Sequence, residues 1–367
     1  AYITANEPLA IVVDQVSLTG KDQGTLLSLR GRPYLADLLR NETRWYADLL
    51  YREISGWQSS IQVQNLTYVS KPTFVTVDFF DKSGDEIYFV GDWVCRNGAK
   101  TFYLPAIIDL GVNYPFGYEG AAEIESHQQV DYPGQWHTYG EPIFAVVDLK
   151  KTKMWNGQIW DHAGPGEIQG GAYNAHPYYE KENAYGWAMP HIAKEQAGVT
   201  SRIAIRNNSN CNKITGKVLI KDETGRVVAT IDVPWLQPKK MKIVDLAYFG
   251  QIAPGFLGAA EFKVGSWPGG VWYPDGGVEQ LCDVDNNGHV DNEPIMPSVV
   301  VLNYGWQREL PEYPGGPSGE LPDDGDLTRV YEGIPFLSWE KTCFGDIFGT
   351  VAMYDYEDGE IDPEANE

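Results

Sequence analysis

The densest run of hard oxygen donors in the chain is Asp283-Val284-Asp285-Asn286-Asn287-Gly288-His289-Val290-Asp291-Asn292-Glu293. Oxygen side chains at Asp283, Asp285 and Asn287, glycine in the sixth place and Asp291 in the ninth have the spacing of a calcium loop. Ca2+ takes several oxygens at once, and this spacing wraps them around one point. Gly288 permits the sharp turn, and His289 would offer only its backbone carbonyl. The twelfth place, where a bidentate glutamate normally stands, holds Pro294. Glu293 is the substitute ligand, although Glu7 and Glu141 occupy the same place in a repeat described below. The segment therefore reads either as a structural Ca2+ site before a strand or as a plain Asn/Gly turn.

Other chemistry is sparse. Cys95, Cys211, Cys282 and Cys343 form no C-x-x-C pair, so redox or haem attachment is not indicated. An even number in an exported chain suggests disulfides. Cys211 with Cys282, in one repeat, is the preferred pair, and Cys95 with Cys343 the weaker one. His127, His137, His162, His176, His191 and His289 include no H-E-x-x-H pair. No nucleophile elbow, phosphate loop or dinucleotide fingerprint is present. The expectation is a protein that is not an enzyme.

Composition narrows the partners. With 51 acidic against 28 basic residues, the net charge is −23, which repels nucleic-acid backbones and anionic lipid but suits divalent cations. No stretch reaches the roughly 20 apolar residues of a membrane-spanning helix, so no membrane insertion is expected. The 12 Trp, 22 Tyr, 39 Gly and 23 Pro favour strands and turns. Ala1-Tyr2-Ile3 reads as the start of a mature chain, exported by a cleaved signal peptide to the cell surface or extracellular space. Asn41-Glu-Thr43, Asn65-Leu-Thr67 and Asn207-Asn-Ser209 match glycosylation sequons by pattern.

The elements that carry these residues repeat. Gly56-Trp57-Gln58-Ser59-Ser60-Ile61-Gln62-Val63-Gln64-Asn65 aligns with Gly198-Val199-Thr200-Ser201-Arg202-Ile203-Ala204-Ile205-Arg206-Asn207. Both alternate as half-buried strands do and end on Asn, a turn former. A strand into Asp81-Lys82-Ser83-Gly84 matches one into Asp222-Glu223-Thr224-Gly225, a hairpin signature. Gly117-Tyr118-Glu119-Gly120-Ala121-Ala122-Glu123-Ile124 matches Gly255-Phe256-Leu257-Gly258-Ala259-Ala260-Glu261-Phe262. A fourth block occurs three times, as Glu141-Pro142-Ile143-Phe144-Ala145-Val146-Val147-Asp148, as Glu293-Pro294-Ile295-Met296-Pro297-Ser298-Val299-Val300, and as Glu7-Pro8-Leu9-Ala10-Ile11-Val12-Val13-Asp14. At the other end, Ile334-Pro335-Phe336-Leu337 matches Met189-Pro190-His191-Ile192, and Phe344 to Val351 reads as a first strand of a third unit.

These G-W-x-S-x-I-x-V-Q-N, D-x-x-G, G-Y-x-G-A-A and E-P-I-x-A-V-V blocks resemble poorly characterised β-sandwich repeats of large secreted and surface proteins of bacteria. The resemblance covers roughly residues 50–150 and 190–305 and both ends. It implies immunoglobulin-like extracellular sandwiches and no known catalysis. The second unit departs from the pattern at Val199 (for Trp) and Arg206 (for Gln).

The expected fold is all-β: tandem immunoglobulin-like β-sandwich domains with extended terminal strands and aromatic or Gly-rich connecting segments. The expected organisation runs as follows: a donor-like strand (1–18), a connector with a possible helix over 33–51 (19–54), repeat 1 (55–151) and a crossover (152–196). Repeat 2 with the calcium-loop insert (197–305), a Pro/Gly-rich linker (306–327) and a partial repeat with an acidic tail (328–367) complete it. Two functions compete. In the first, the chain is a structural subunit that polymerises with itself. The strand carrying Glu7, Pro8, Leu9, Ile11 and Val13 is donated to an acceptor that includes Ile334, Phe336, Leu337, Phe344, Ile347, Phe348 and Val351. In the second, it is a monomeric glycan-binding or adhesin module whose platform is drawn from Trp155, Trp160, Tyr173, Tyr178, Tyr179 and Trp187, beside His162 and His176.

Overall fold

The computed structural model describes residues 12–16, 26–30, 42–54, 56–66, 72–115, 117–129, 136–137, 140–151, 154–155, 158–159, 169–177, 185–196, 199–266, 275–280, 296–307, 325–326, 329–332 and 334–336. The fold is all-β and antiparallel, and among the described residues the one α-helix is α1 (Ile108–Asn113). Strands β1 (Val12–Val16) and β2 (Leu26–Arg30) pair with each other.

Two sets of strands then follow one plan. The first unit holds β3 (Arg44–Ile54), β4 (Trp57–Asn65), β5 (Thr73–Asp81), β6 (Glu86–Val94), β7 (Ala99–Tyr103), β8 (Tyr118–Gln129), β9 (Trp136–His137), β10 (Ile143–Lys151), β11 (Met154–Trp155), β12 (Gln158–Ile159), β13 (Gln169–Asn174) and β14 (His176–Pro177). The second holds β15 (Gly186–Lys194), β16 (Val199–Asn207), β17 (Asn212–Lys221), β18 (Val227–Leu236), β19 (Met241–Asp245), β20 (Phe256–Val264), β21 (Val278–Gln280), β22 (Pro297–Gln307), β23 (Gly325–Asp326), β24 (Arg329–Glu332) and β25 (Ile334–Phe336). In the first unit β13-β10-β4-β3-β8-β5-β6 form one hydrogen-bonded sheet joined through the β3–β4 pair, with β7 beside β4, β14 beside β3 and β9 beside β8, and both halves of it contribute to the first core. In the second, β19-β16-β22-β24 faces β18-β17-β20-β15-β25.

Alternation explains the layers. Ile61 and Val63, Val75, Val77 and Phe79, and Ala145 and Val147 turn into the first core. Ile203 and Ile205, Val218 and Ile220, and Val299 and Val301 turn into the second. The intervening residues Ala204, Val300 and Leu302, with Met241, are buried in the first unit's cluster. Strands β16 and β22 therefore have two apolar faces, and the sheets of the two units stack in four layers.

That stacking corrects the helix expected over residues 33–51. Residues 44–54 are strand β3, in which Trp45 through Tyr51 are all buried. A strand covered on both faces carries a near-continuous apolar run, which short spacing counts mistake for a helix. The expected unit boundaries move as well. Strands β3 and β15 open their units, and β13–β14 and β24–β25 close them. Of residues 152–196, the described 169–174, 176–177 and 186–194 are strands of the sheets. β10 lies beside β4 and β22 beside β16, whereas the immunoglobulin order puts the seventh strand beside the sixth.

Three polar devices recur and fix the plan. The Tyr173 hydroxyl donates to Leu49 O and accepts from Leu49 N, both at 2.9 Å, and Tyr331 does the same at His191. These contacts sit at equivalent bulges, between Ala47 and Leu50 and between Met189 and Ile192. Ser59 Oγ accepts from Tyr51 N and Ser201 Oγ from Ala193 N, both at 2.8 Å. Asn65 Nδ2 donates to Val94 O at 3.2 Å and Asn207 Nδ2 to Leu236 O at 3.1 Å. These two asparagines are buried. They tie strand ends together instead of serving as turn formers, and their side chains are closed to glycosylation in the folded chain.

Candidate functional site

The expected calcium ligands Asp283, Asp285, Asn287, His289, Asp291 and Glu293 lie outside the described residues, as do Glu7, Pro8, Leu9 and Ile11 of the assembly strand. Val13 is on β1 opposite Leu29 of the same chain. Of the acceptor segment, Ile334 and Phe336 stand on β25, which pairs with β15 through Ala188↔Ile334 and Gly186↔Phe336. There they form the terminal strand of their own unit's sheet. Leu337, Phe344, Ile347, Phe348 and Val351 lie outside the described residues. Asp326 and Gly325 fold back onto Trp306 and Gln307 of β22, so the chain returns to its own unit after residue 307.

Cys211 is buried and disulfide-bonded. Cys95 is an exposed free thiol in the turn closed by Gly98 N donating to Cys95 O at 2.8 Å. Cys282 and Cys343 lie outside the described residues. The aromatic platform loses two members, since Tyr173 and Trp187 are both buried. Trp160, Tyr178, Tyr179 and His162 lie outside the described residues. His176 is on β14, with Nε2 3.4 Å from Asp48 Oδ2.

The concentrated chemistry lies between the units. Strands β3, β5 and β8 present Asp48, Phe80, Glu119 and Glu123 with Tyr46 and Tyr51. The facing sheet presents Arg202 and Arg206 from β16 and Lys239 from the turn before β19. Arg206 is fully buried. Its Nη1 donates to Ala122 O at 3.2 Å and lies 3.8 Å from Asp48 Oδ1, while Nη2 lies 3.8 Å from Glu123 Oε1. The guanidinium sits 5.1 Å from the Phe80 ring centre and 5.8 Å from that of Tyr46, near enough for cation–π attraction.

The neighbours complete the pairing. Lys239 Nζ bonds Glu123 Oε1, and Asn208 O at 2.9 Å. Arg202 Nη2 is 2.6 Å from Glu119 Oε1, and Lys82 Nζ is 2.8 Å from Oε2 of the same carboxylate. Asn208 Nδ2 donates to Asp48 Oδ1 at 3.2 Å and to Ser298 Oγ at 2.7 Å. Desolvation pushes the Asp48 carboxyl up, and His176 and Arg206 pull against it. Desolvation also pulls the Lys239 ammonium down, with Glu123 opposing. Opposite charges are matched, with Arg206 and Asp48 fully buried at the centre and Lys82 exposed at the rim, an arrangement that fixes the register of two sheets.

The turns interlock too. Met241 N donates to Lys82 O at 3.2 Å across the contact. Gly84, at φ +90°, approaches so closely that a Cβ would lie 2.8 Å from Pro238 O and 2.9 Å from Lys240 N. This site was not foreseen from the sequence. The available signal was Arg206 standing where the first repeat has Gln64, a charge on a strand position that faces away from its own core.

No protein-family model and no curated protein sequence matches this chain. Among the described residues no helix is long and apolar enough to cross a membrane, and no cluster of three or more His, Cys, Asp or Glu is placed to hold a metal.

Proposed function

We propose that the chain is a non-catalytic structural subunit of an extracellular or cell-surface assembly, built from tandem sandwich units and joined to its neighbours through terminal strands. The observation that supports this is the contact between units. It is stacked sheet on sheet and charge-paired, with a fully buried Arg206–Asp48 centre, which suits a part whose task is to hold geometry. The Cys211 disulfide supports an oxidising compartment. The strand order sets these sandwiches apart from the immunoglobulin arrangement that the sequence resemblance implies. Because Val13 is paired with Leu29, the element offered to a neighbour is the β1–β2 hairpin, not a lone strand. Ca2+ held by Asp283, Asp285, Asn287, Asp291 and Glu293 belongs to the same proposal, as a clamp on the loop before β22.

Light scattering with electron microscopy of the same fractions tests the assembly. The full chain is compared with one starting at Thr19, each with and without Ca2+. Polymers from the first and monomers from the second are expected. Monomers from both at high concentration with Ca2+ present would overturn the reading.

A further inference from the structure

The hairpin β1–β2 repeats the closing hairpin of each unit, residue for residue. In the first unit Val146, Val147 and Asp148 pair with Asn174, Tyr173 and Ala172. In the second, Val300, Val301 and Leu302 pair with Glu332, Tyr331 and Val330. In the N-terminal hairpin Val12, Val13 and Asp14 pair with Arg30, Leu29 and Ser28. The first arms of the N-terminal hairpin and the first unit align through a Glu-Pro that begins five residues before the first pair, at Glu7-Pro8 and Glu141-Pro142, whereas Glu293-Pro294 begins seven residues before Val300. The second arms align independently through a proline three residues past the first of these pairs, at Pro33, Pro177 and Pro335. The proline anchor thus gives one register in three hairpins, and the Glu-Pro anchor gives the same register in two of them.

The placement repeats as well. β2 lies alongside β13 as β13 lies alongside β24, where a Cβ on Gly171 would meet Val330 Cγ2 at 2.4 Å. The hairpin therefore stands where a unit stacked before the first would have its own closing strands. Beneath it, the outer face of β4 is the counterpart of the Arg202–Arg206 face. The cationic positions Arg202, Arg206 and Lys239 correspond to Ser60, Gln64 and Asn97. Their partners change in step on the outer sheet of the second unit, where Glu119 and Asp48 correspond to Leu257 and Pro190. Glu261, the counterpart of Glu123, is already neutralised by Lys221 and Lys263. Setting that outer sheet on the β4 face leaves no buried charge unpaired at these positions. The turn glycine of that sheet, Gly225, has nothing within 4 Å, whereas its counterpart Gly84 is packed against the next unit.

We infer that β1–β2 is the closing hairpin of a further sandwich unit, and that its partner is a set of the seven opening strands of this same repeat, seated on the β4 face. This inference rests on the assembly reading and names its partner. The test appends residues 185–296, the opening strands of the second unit, to the full chain after Glu367 through a flexible linker, and follows amide exchange in residues 12–16 and 26–30. A two-stranded hairpin alone is weakly protected. Once completed, its amides are expected to slow by about a hundredfold or more, with head-to-tail polymers by light scattering. A control chain appends residues 185–336, which brings its own closing hairpin, and is expected to leave the N-terminal amides fast. If the control folds its extra unit while the seven-strand version leaves residues 12–16 and 26–30 as fast as in the unmodified chain, the inference is overturned. An unmodified chain that stays monomeric counts against the assembly reading alone.

Discussion

Arg206 Nη1 lies 3.8 Å from Asp48 Oδ1, and neither side chain has any exposed surface. They belong to different units, so this pair is a joint as well as a buried charge. Replacing Arg206 with Met leaves Asp48 and Glu123 facing an apolar group. Breaking one side of a buried pair typically costs about 3–5 kcal/mol, so urea unfolding of Arg206→Met is expected to show a loss of that order. The double variant Arg206→Met with Asp48→Asn should recover part of it. Equal losses in single and double variants would show that the two residues are not coupled.

Asp78 offers a pH signature. Burial, followed by the charges of Glu86 on β6 and Glu123 and Glu125 on β8, raises its carboxyl to about 7, against the pull of Arg44 on β3. The unfolded carboxyl releases its proton near 4. Between about pH 4 and 7 the folded chain therefore holds a proton that the unfolded chain has lost, so Asp78 makes stability fall as pH rises through that window and level off above it. Unfolding midpoints for the native chain and Asp78→Asn between pH 4.5 and 8 check this. The variant should show a shallower decline, and identical slopes would remove Asp78 as the cause.

The Tyr173 hydroxyl makes two backbone hydrogen bonds at the β3 bulge, inside the core. Tyr173→Phe strands a buried N–H and C=O of Leu49, at a cost of about 1–3 kcal/mol. Chemical denaturation gives the number directly, and a change within a few tenths of zero would mean that the bulge is held by packing alone.

The cysteines predict a simple chemical map. Native alkylation is expected to modify Cys95 at once and to leave Cys211 untouched until reduction. Cys211→Ser should lower stability by about 2–5 kcal/mol, as loss of a native disulfide generally does. A non-reducing peptide map that found Cys95 in a bridge would contradict the assignment.

If the Asp283–Glu293 segment holds Ca2+, millimolar Ca2+ should raise the melting temperature and a chelator reverse it, through mass action on the folded state. Asp285→Ala should abolish the response. A melting curve indifferent to Ca2+ in the native chain would leave the segment as a turn.

The sequence was legible where one strand face is dry and the other wet. The Ile61–Val63 and Ile203–Ile205 alternations and both Asp-x-x-Gly turns fall on elements of the expected kind, whereas the Glu-Pro block sets the second unit's last strand two residues off, since Val300 and not Ser298 takes the place of Val146. It was not legible where both faces are dry. Trp45 to Tyr51 has no alternation because the core covers one side and the second unit the other, and so β3 read as a helix. The site suffered similarly. Asp48, Glu119 and Glu123 are ordinary acids in an acidic chain until stacking sets Arg202, Arg206 and Lys239 opposite them. The short closers β14 and β25 were missed because two or three residues carry no periodicity. Only the shared prolines Pro177 and Pro335 mark them.

Each unit's first strand is edged by its last. Trp45 and Tyr46 pair with Pro177 and His176, and Gly186 and Ala188 with Phe336 and Ile334. A polypeptide is made, and threaded through any pore, from its N-terminus onward. The opening strand therefore emerges first and waits with a bare edge until the final residues of its unit arrive. Such long-range pairing folds slowly, and no unit can finish from its leading half. Completion is timed to the arrival of a proline-marked tail, so a half-made unit stays pliable and becomes stiff only once its last residues have been made.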